Sequence, residues 1–286
     1  MKMSALVLIG GLALAAGPLR ADGPTRVETV SFKSTLVGQT LPYNVVLPSD
    51  YAQSPDTRYP VLYLLHGLSD HYSTWVLHTN LVEHAARHRV IVVTPEGNNG
   101  WYTDSATVAK DKYESYLLEE LIPHVQSRYR TLEDGYARGV AGLSMGGYGA
   151  LKLALKHPDE FAFAASMSGA LGAAQFTEKD GGGWPLVWES ILQAFGPLGS
   201  STREANDLFG LVKGMSDERV RGLPYLYLDC GTDDGLVRSN LALAGLLTEK
   251  RIPHEYRQQP GVHNWELWDK QIREVLELAS QKLPRR

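Results

Sequence analysis

The stretch Gly142-Leu143-Ser144-Met145-Gly146-Gly147 decides the fold of this 286-residue chain. It follows an apolar run and precedes a helical pattern, so it places a serine on a sharp turn between a strand and a helix. The backbone of such a turn is strained, and a side chain at position 142 or 146 would collide with the segments that cross there. The turn is therefore predicted to present the Ser144 hydroxyl beside the free N–H groups that begin the helix.

Apolar runs alternate with helical patterns on both sides of this turn. The runs predicted as strands are residues 27–33, 41–47, 60–65, 89–95, 138–142, 161–168, 223–229 and 254–257. The first two predict an antiparallel start, and several later runs have the continuous apolar character of strands buried on both faces. The alternation predicts an α/β fold with a mostly parallel central sheet and helices on both faces.

Helical spacing is found over residues 75–88, 111–129, 145–157, 237–250 and 265–283. Pro123 has no N–H and is expected to kink or divide the second of these helices. The alternation stops over residues 170–222, where glycines, prolines and polar residues predict an irregular insertion with short helices after the sixth strand. We interpret this insertion as a lid over a pocket, and an ordinary surface excursion is the alternative.

The charge balance of the chain bears on its possible partners, and its first residues bear on its cellular location. The chain has 28 Lys and Arg against 32 Asp and Glu, so it offers no basic surface for nucleic acid or an anionic membrane. Residues 1–21 have the basic start, apolar run and small final residue of a cleaved signal peptide, with an uncleaved anchor as the alternative. We expect export, one domain over residues 22–286, and no membrane span after cleavage. Cys230 is the only cysteine, which excludes an intrachain disulfide.

A serine hydroxyl needs a general base to become a nucleophile, and the base needs a carboxylate that orients it. His263 lies between the last predicted strand and the last helix, where such a base is expected. The acid is expected in the loop that follows the seventh strand, at Asp233 or Asp234. The pattern favours Asp234 but does not separate the two, because an aspartate before a glycine can also be a turn residue.

Two backbone N–H groups are candidates for binding an oxyanion: that of Met145, and that of Leu68 after the third strand. Gly67 is expected to give the Leu68 segment the freedom to turn inward. Trp101, Tyr102, Trp184 and Trp188 are candidates for lining a substrate pocket, although most aromatic residues belong to a core. His84 and His88 lie four residues apart but lack a third ligand, so neither a metal nor another cofactor is expected.

With these motifs the chain resembles the α/β-hydrolase esterase family, which includes tributyrin and acetyl esterases, feruloyl esterases, S-formylglutathione hydrolase and the mycolyltransferases. The resemblance rests on residues 142–150, His66-Gly67, residues 230–234 and His263-Asn264-Trp265. It implies that Ser144 is the nucleophile and His263 the base. It also implies that Asp234 is the acid, because the last residue of the corresponding family loop is the catalytic one.

The resemblance implies a serine carboxylesterase that hydrolyses short-chain or small aromatic acyl esters, which are small-molecule substrates, through an acyl-enzyme. The leader pattern of residues 1–21 adds the expectation that this enzyme is exported. One alternative is an acyltransferase that passes the acyl group to a sugar or alcohol. Another is a thioesterase similar to S-formylglutathione hydrolase, against which the expected export argues. A non-catalytic binding module would be expected to lack part of the catalytic set, whereas this sequence has all three members.

Overall fold

The computed structural model describes residues 26–181 and 183–284. The expected signal peptide, residues 1–21, lies outside the described residues. Within them, eight strands form one sheet in the order β1-β2-β4-β3-β5-β6-β7-β8. The strands are β1 Arg26–Val30, β2 Tyr43–Leu47, β3 Val61–Leu65, β4 Ile91–Pro95, β5 Arg138–Leu143, β6 Phe163–Met167, β7 Tyr225–Gly231 and β8 His254–Gln259.

The direction of the strands agrees with the prediction. Strand β2 runs antiparallel to both of its neighbours, β1 and β4, and every other neighbouring pair in the sheet is parallel. The antiparallel start and the mostly parallel remainder are both confirmed. The first strand is shorter than predicted, because beyond Val30 only Lys33 makes an isolated bridge, to Thr40.

Eleven α-helices connect or flank these strands in the described part of the chain. They are α1 Thr74–His78, α2 Leu81–Ala85, α3 Tyr113–Ser115, α4 Ile122–Arg128, α5 Met145–Lys156, α6 Pro185–Phe195, α7 Ser201–Asn206, α8 Leu208–Lys213, α9 Asp217–Arg221, α10 Val237–Glu249 and α11 Trp265–Lys282. A π-helical segment, Tyr116–Leu121, joins α3 to α4. None of the described helices is long and apolar enough to cross a membrane.

The sheet is buried on both faces, as the continuous apolar runs indicated. In β3, Val61, Tyr63 and Leu65 belong to one apolar cluster, whereas Leu62 and Leu64 belong to the other. Helices α5 and α10 contribute to the first cluster, and α1, α2 and α11 contribute to the second. The predicted helices on both faces are therefore confirmed.

Two of the predicted helices are divided, one for a local reason and one through a distant contact. Pro123 lies in the first turn of α4, directly after the π-helical segment, and the Ile122 N–H donates to the Leu117 carbonyl five residues back. A proline ring clashes with the carbonyl four residues before it, and a wider turn relieves that clash, so the predicted division is confirmed. The single helix predicted over residues 75–88 is wrong. It is interrupted at Asn80, whose N–H and side-chain amide both donate to the Asp269 carboxylate.

The parallel strands bring their carboxyl ends to one edge of the sheet, which we call the carboxyl edge. Leu68 follows β3, Ser144 follows β5, Asp234 follows β7 and His263 follows β8. Open α/β sheets form their sites at this edge, since the loops that leave it converge there. The insertion over residues 170–222 contains α6 to α9, so the predicted short helices are confirmed. Its interpretation as a lid stays a prediction.

Candidate active site

Ser144 occupies a strained turn between β5 and α5. Its backbone has φ 51° and ψ −113°, a conformation that residues with a side chain rarely adopt. Such strain costs about 1–3 kcal/mol and persists only where the surroundings enforce it. Here the Ser144 N–H donates to the Met167 carbonyl, and the Ser144 carbonyl accepts from the N–H groups of Tyr148 and Ala170, each at 3.0 Å. Packing and hydrogen bonds thus hold the hydroxyl in a fixed position.

The glycines around Ser144 are required for steric reasons, as predicted. A Cβ atom at Gly142 would lie 2.5 Å from the main chain of Gly146. A Cβ atom at Gly146 would lie 2.5 Å from the carbonyl oxygen of Leu65 and 2.7 Å from that of His66. The start of α5 therefore touches the end of β3, and only glycine permits this approach.

Ser144, His263 and Asp234 form one series of hydrogen bonds. The distance from Ser144 Oγ to His263 Nε2 is 3.1 Å, and the distance from His263 Nδ1 to Asp234 Oδ2 is 2.9 Å. A carboxylate only accepts hydrogen bonds, so the proton of a neutral His263 is on Nδ1 and Nε2 is free to accept from the serine hydroxyl. The arrangement can remove a proton from Ser144 and stabilise the imidazolium that results.

Backbone hydrogen bonds join the loops that carry His263 and Asp234. The Thr232 N–H donates to the Gln259 carbonyl at 2.9 Å, and the Asp233 N–H donates to the Gly261 carbonyl at 3.0 Å. Within this connection the two candidate acids differ. Asp234 is buried and faces His263, whereas the Asp233 carboxylate accepts from the hydroxyl of Thr232. This geometry separates two residues that the sequence pattern alone left open.

The surroundings of Asp234 keep it ionised. Burial by itself would raise the pKa of this carboxyl, but the hydrogen bond and charge of His263 act in the opposite direction. The Leu236 N–H, which donates to Asp234 Oδ1 at 2.8 Å, adds to that effect, and the net pKa lies below the ordinary value. Asp234 is therefore an anion at neutral pH and can orient the histidine.

Helix α11 holds His263 from the other side. Asn264 caps this helix by accepting the Leu267 N–H at 3.1 Å, and the His263 ring lies edge to face with the ring of Trp268, with 4.9 Å between their centroids. The indole of Trp268 is buried. Sequence reasoning missed this contact, and its only signal was an aromatic residue one turn into a helix that directly follows the histidine.

The candidate oxyanion donors, Leu68 and Met145, have free N–H groups in the described part of the chain. Within the described ranges, neither the Leu68 N–H nor the Met145 N–H donates to a protein acceptor. The expected reason for Gly67 is wrong, because its φ is not in the left-handed region. Glycine is needed there for space: a Cβ atom would lie 2.6 Å from the Leu143 side chain and 3.6 Å from Ser144 Cβ. The Leu68 segment thus lies directly against the serine turn.

The loop after β4 supports the Leu68 segment through a residue that sequence reasoning missed. Glu96 is 5% exposed and accepts from the N–H groups of Tyr72 at 3.2 Å and Asn98 at 2.9 Å. Burial alone would raise the pKa of Glu96, but contacts with His66 and with these two N–H groups lower it to about 2. The Glu96 carboxylate therefore joins the segment after β3 to the segment after β4.

Trp101 and Tyr102 do not line a substrate-accessible wall. The Trp101 indole donates to the Ser190 hydroxyl at 3.0 Å, and the Tyr102 hydroxyl donates to the His66 carbonyl at 3.1 Å. Their side chains are 2% and 1% exposed, which does not fit the expected contact with substrate. They belong to the buried layer under the site, where each ring is packed among other residues and its polar atom has a hydrogen-bond partner.

Trp184 and Trp188, in contrast, line an open groove of about 230 Å³ on the insertion. Trp184 is 71% exposed, and Trp188 is half-buried beneath the guanidinium of Arg203 at 5.7 Å. The carboxylate residues Glu178 and Glu189 also line this groove. Of the four predicted aromatic residues, only these two present a surface that a ligand can reach. Across the described residues, no group of three or more His, Cys, Asp or Glu side chains is arranged to hold a metal ion.

Comparisons with known proteins agree with this architecture. A family model described as "Putative esterase" matches residues 34–278. The chain is 28% identical over 266 residues to an acetyl esterase from Caldicellulosiruptor saccharolyticus, a match that covers 89% of this chain and 98% of that protein. It is 27% identical over 307 residues to a diacylglycerol acyltransferase/mycolyltransferase from Mycobacterium leprae, covering 96% of this chain and 88% of that one.

Among solved structures, a ferulic acid esterase superposes with a TM-score of 0.77 at 26% identity, covering 90% of this chain and 99% of that chain. The architecture predicted from the alternation of strands and helices is therefore the α/β-hydrolase fold.

Proposed function

We propose that this chain, which belongs to the putative esterase family and is a serine carboxylesterase, hydrolyses short-chain or small aromatic acyl esters with Ser144, His263 and Asp234 as its catalytic residues. The observation that carries the proposal is the continuous series of hydrogen bonds from Ser144 Oγ through His263 to Asp234. A serine hydroxyl bonded to a histidine that is oriented by an ionised carboxylate is the arrangement that acyl transfer requires.

In the proposed reaction Ser144 Oγ attacks the ester carbonyl carbon while His263 Nε2 takes the hydroxyl proton. The carbonyl oxygen becomes an oxyanion, which accepts hydrogen bonds from the N–H groups of Leu68 and Met145. His263 then gives its proton to the leaving alkoxide, and the alcohol departs from an acyl-enzyme. Water repeats the sequence on the acyl-enzyme, and the products are a carboxylic acid and free Ser144.

The substrate class rests on two supports. The chain is similar to an acetyl esterase and to a ferulic acid esterase, whose names refer to a short acyl group and an aromatic one. The groove beside Trp184 and Trp188 offers exposed aromatic surface for one part of such an ester. We assign Trp184 and Trp188 to substrate binding. Because Gly67 has no side chain, it leaves space for the substrate carbonyl between Leu68 and Ser144.

The experiment is hydrolysis of p-nitrophenyl acetate by the Ser144→Ala variant. Because the three catalytic residues act as a unit, we expect kcat to fall by about 10⁶. The exposed serine Ser127 provides a matched control, and Ser127→Ala is expected to keep full activity and the same labelling by an organophosphonate. Activity or organophosphonate labelling that survives in Ser144→Ala would overturn the assignment. A panel of p-nitrophenyl esters of increasing acyl length, together with methyl ferulate, then defines the acyl specificity.

A second candidate function is acyl transfer, which the similarity to a mycolyltransferase supports. Both functions share the acyl-enzyme and differ in whether water or an alcohol accepts the acyl group. Adding a sugar or a simple alcohol to the assay separates them: faster release of p-nitrophenol with formation of a new ester indicates a transferase. A thioesterase similar to S-formylglutathione hydrolase is tested by replacing the oxygen ester with a thioester.

Export is proposed from the leader pattern of residues 1–21. Cleavage after residue 21 would give a mature protein that begins at Asp22 in the periplasm or the medium. Expression of the full chain followed by mass determination of the protein in each fraction tests this. A full-length protein that stays in the cell would contradict it.

A further inference from the structure

Tyr102 connects the Leu68 segment to the interior of the protein. Its ring is held between two glycines: a Cβ atom at Gly97 would lie 2.5 Å from the ring, and a Cβ atom at Gly149 would lie 2.6 Å from it. Its hydroxyl donates to the carbonyl of His66, two residues before Leu68. The ring cannot shift without moving either the main chain of α5 or the segment that follows β4.

The backbone at Tyr102 is strained. Trp101 and Tyr102 have φ values of 53° and 49°, so two consecutive residues with large side chains adopt the left-handed conformation. A conformation of this kind persists only where the surroundings hold it. Contacts with other parts of the protein must therefore hold this turn.

Lys152 supplies that restraint. It lies on α5, the helix that begins after Ser144, and its ammonium group donates to the Tyr102 carbonyl, to Thr103 Oγ1 at 3.0 Å and to Glu114 Oε2 at 2.6 Å. The Lys152 side chain is fully buried. All three donor positions of the ammonium are thus used, and two of them hold the strained turn.

The ion pair with Glu114 does not by itself explain why a lysine is present at this position. Burial lowers the pKa of Lys152 to about 8, although the Glu114 carboxylate acts in the opposite direction, so the charged form is disfavoured by its site. A buried ion pair can often be replaced by apolar groups without loss of stability. Glu114 also keeps other partners, namely Lys156 at 2.7 Å and His157 at 2.8 Å. Of the three basic residues beside Glu114, only Lys152 also contacts the Tyr102 turn.

We propose that Lys152 is a positioning residue, which holds the left-handed turn at Tyr102 so that the Tyr102 hydroxyl fixes the His66 carbonyl and thereby the direction of the Leu68 N–H. The inference rests on the proposed function, in which that N–H binds the oxyanion. It assigns a role in the reaction to a charge that touches neither the substrate nor the three catalytic residues.

The test compares Lys152→Met with Lys156→Met. Both changes remove one cation from Glu114, but only the first removes the contact to Tyr102. We expect Lys152→Met to lower kcat for p-nitrophenyl acetate by about 10- to 100-fold with KM changed less than twofold, because the oxyanion forms only in the transition state. Lys156→Met is expected to stay within twofold of the unaltered protein. Equal kcat values for the two variants would overturn the proposal.

A second readout separates positioning from loss of structure. A trifluoromethyl ketone forms an adduct with the serine that carries an oxyanion, so its affinity reports on the donors directly. In Lys152→Met the affinity should fall by the same factor as kcat. An unchanged affinity beside a reduced kcat would overturn the proposal.

Tyr102→Phe decides the matter if Lys152→Met fails to fold, because it removes only the hydroxyl that bonds to His66 and keeps the buried ring. We expect kcat and ketone affinity to fall together by about three- to tenfold, the loss of one hydrogen bond. Unchanged values would contradict the proposal. A separate result tests the proposed function, which is wrong if Ser144→Ala keeps its activity. If Ser144→Ala is inactive while Lys152→Met matches Lys156→Met, only the role of Lys152 is wrong.

Discussion

The carboxyl edge of the sheet and the insertion over residues 170–222 differ in the exposure of their aromatic side chains. At the carboxyl edge, Trp101 and Tyr102 are buried, and their polar atoms donate to defined partners. On the insertion, Trp184 is 71% exposed and Trp188 lies beside an open groove. The first pair supports a fixed geometry, whereas the second pair offers a surface.

This difference indicates how the molecule divides its tasks. Ser144, His263 and Asp234 follow parallel strands of one sheet and are joined by hydrogen bonds, so their relative positions depend on rigid elements. The insertion is built from short helices after β6 and carries none of these three residues. We therefore expect substitutions at the edge to change the rate for every ester, and substitutions in the insertion to change the preference among esters.

The largest effect in this comparison is expected from Asp234→Asn. An amide at this position stabilises the wrong tautomer of His263, so kcat for p-nitrophenyl acetate should fall by about 10³- to 10⁴-fold. Asp233→Asn is the matched control in the same loop, because its carboxylate bonds to Thr232 rather than to the histidine. Equal losses in the two variants would show that the loop as a whole, not the carboxylate of Asp234, supports the reaction.

An intermediate effect is expected from Glu96→Gln, which weakens the connection between the segments after β3 and β4. The folded pKa of Glu96 is about 2, below the value of about 4.3 for a free glutamate. A lowered carboxylate pKa contributes stability that is fully present above the unfolded value and is lost as the pH falls towards 2. The full shift corresponds to about 3 kcal/mol of unfolding free energy.

Urea unfolding of Glu96→Gln at pH 7 and at pH 3 measures this contribution. We expect the variant to lose about 2–3 kcal/mol at pH 7, and its difference from the unaltered protein to shrink at pH 3. The exposed Glu119 gives a control, since Glu119→Gln should have little effect at either pH. A pH-independent loss in Glu96→Gln would mean that its contribution is packing rather than charge.

The smallest effect is expected from Trp184→Ala. Because this side chain is mostly exposed, its removal should change the melting temperature little, but kcat/KM for methyl ferulate should fall about tenfold relative to p-nitrophenyl acetate. Leu186→Ala is a matched control, because Leu186 is exposed in the first turn of α6, just after Trp184, but does not line the groove. Equal losses for both esters would remove the groove from substrate selection and weaken the division between the two regions.

Local chemistry explains why much of the fold could be predicted from the sequence. Gly142 and Gly146 are required because any side chain there meets main-chain atoms, and that requirement is visible as a pattern. Pro123 divides its helix because proline lacks an N–H, a property that does not depend on tertiary contacts. The break at Asn80 was not predictable in this way, since its partner Asp269 lies 189 residues further along the chain.

The sequence by itself determined the order of strands and helices, the serine turn, and the loops in which a base and an acid had to lie, because these depend on steric and periodic properties of neighbouring residues. Only the tertiary structure decided that Asp234 rather than Asp233 faces His263, that Trp101 and Tyr102 are buried while Trp184 is exposed, and that Lys152 holds the Tyr102 turn. Each of these facts depends on which distant segments come into contact, and contact between distant segments is a property of the folded chain.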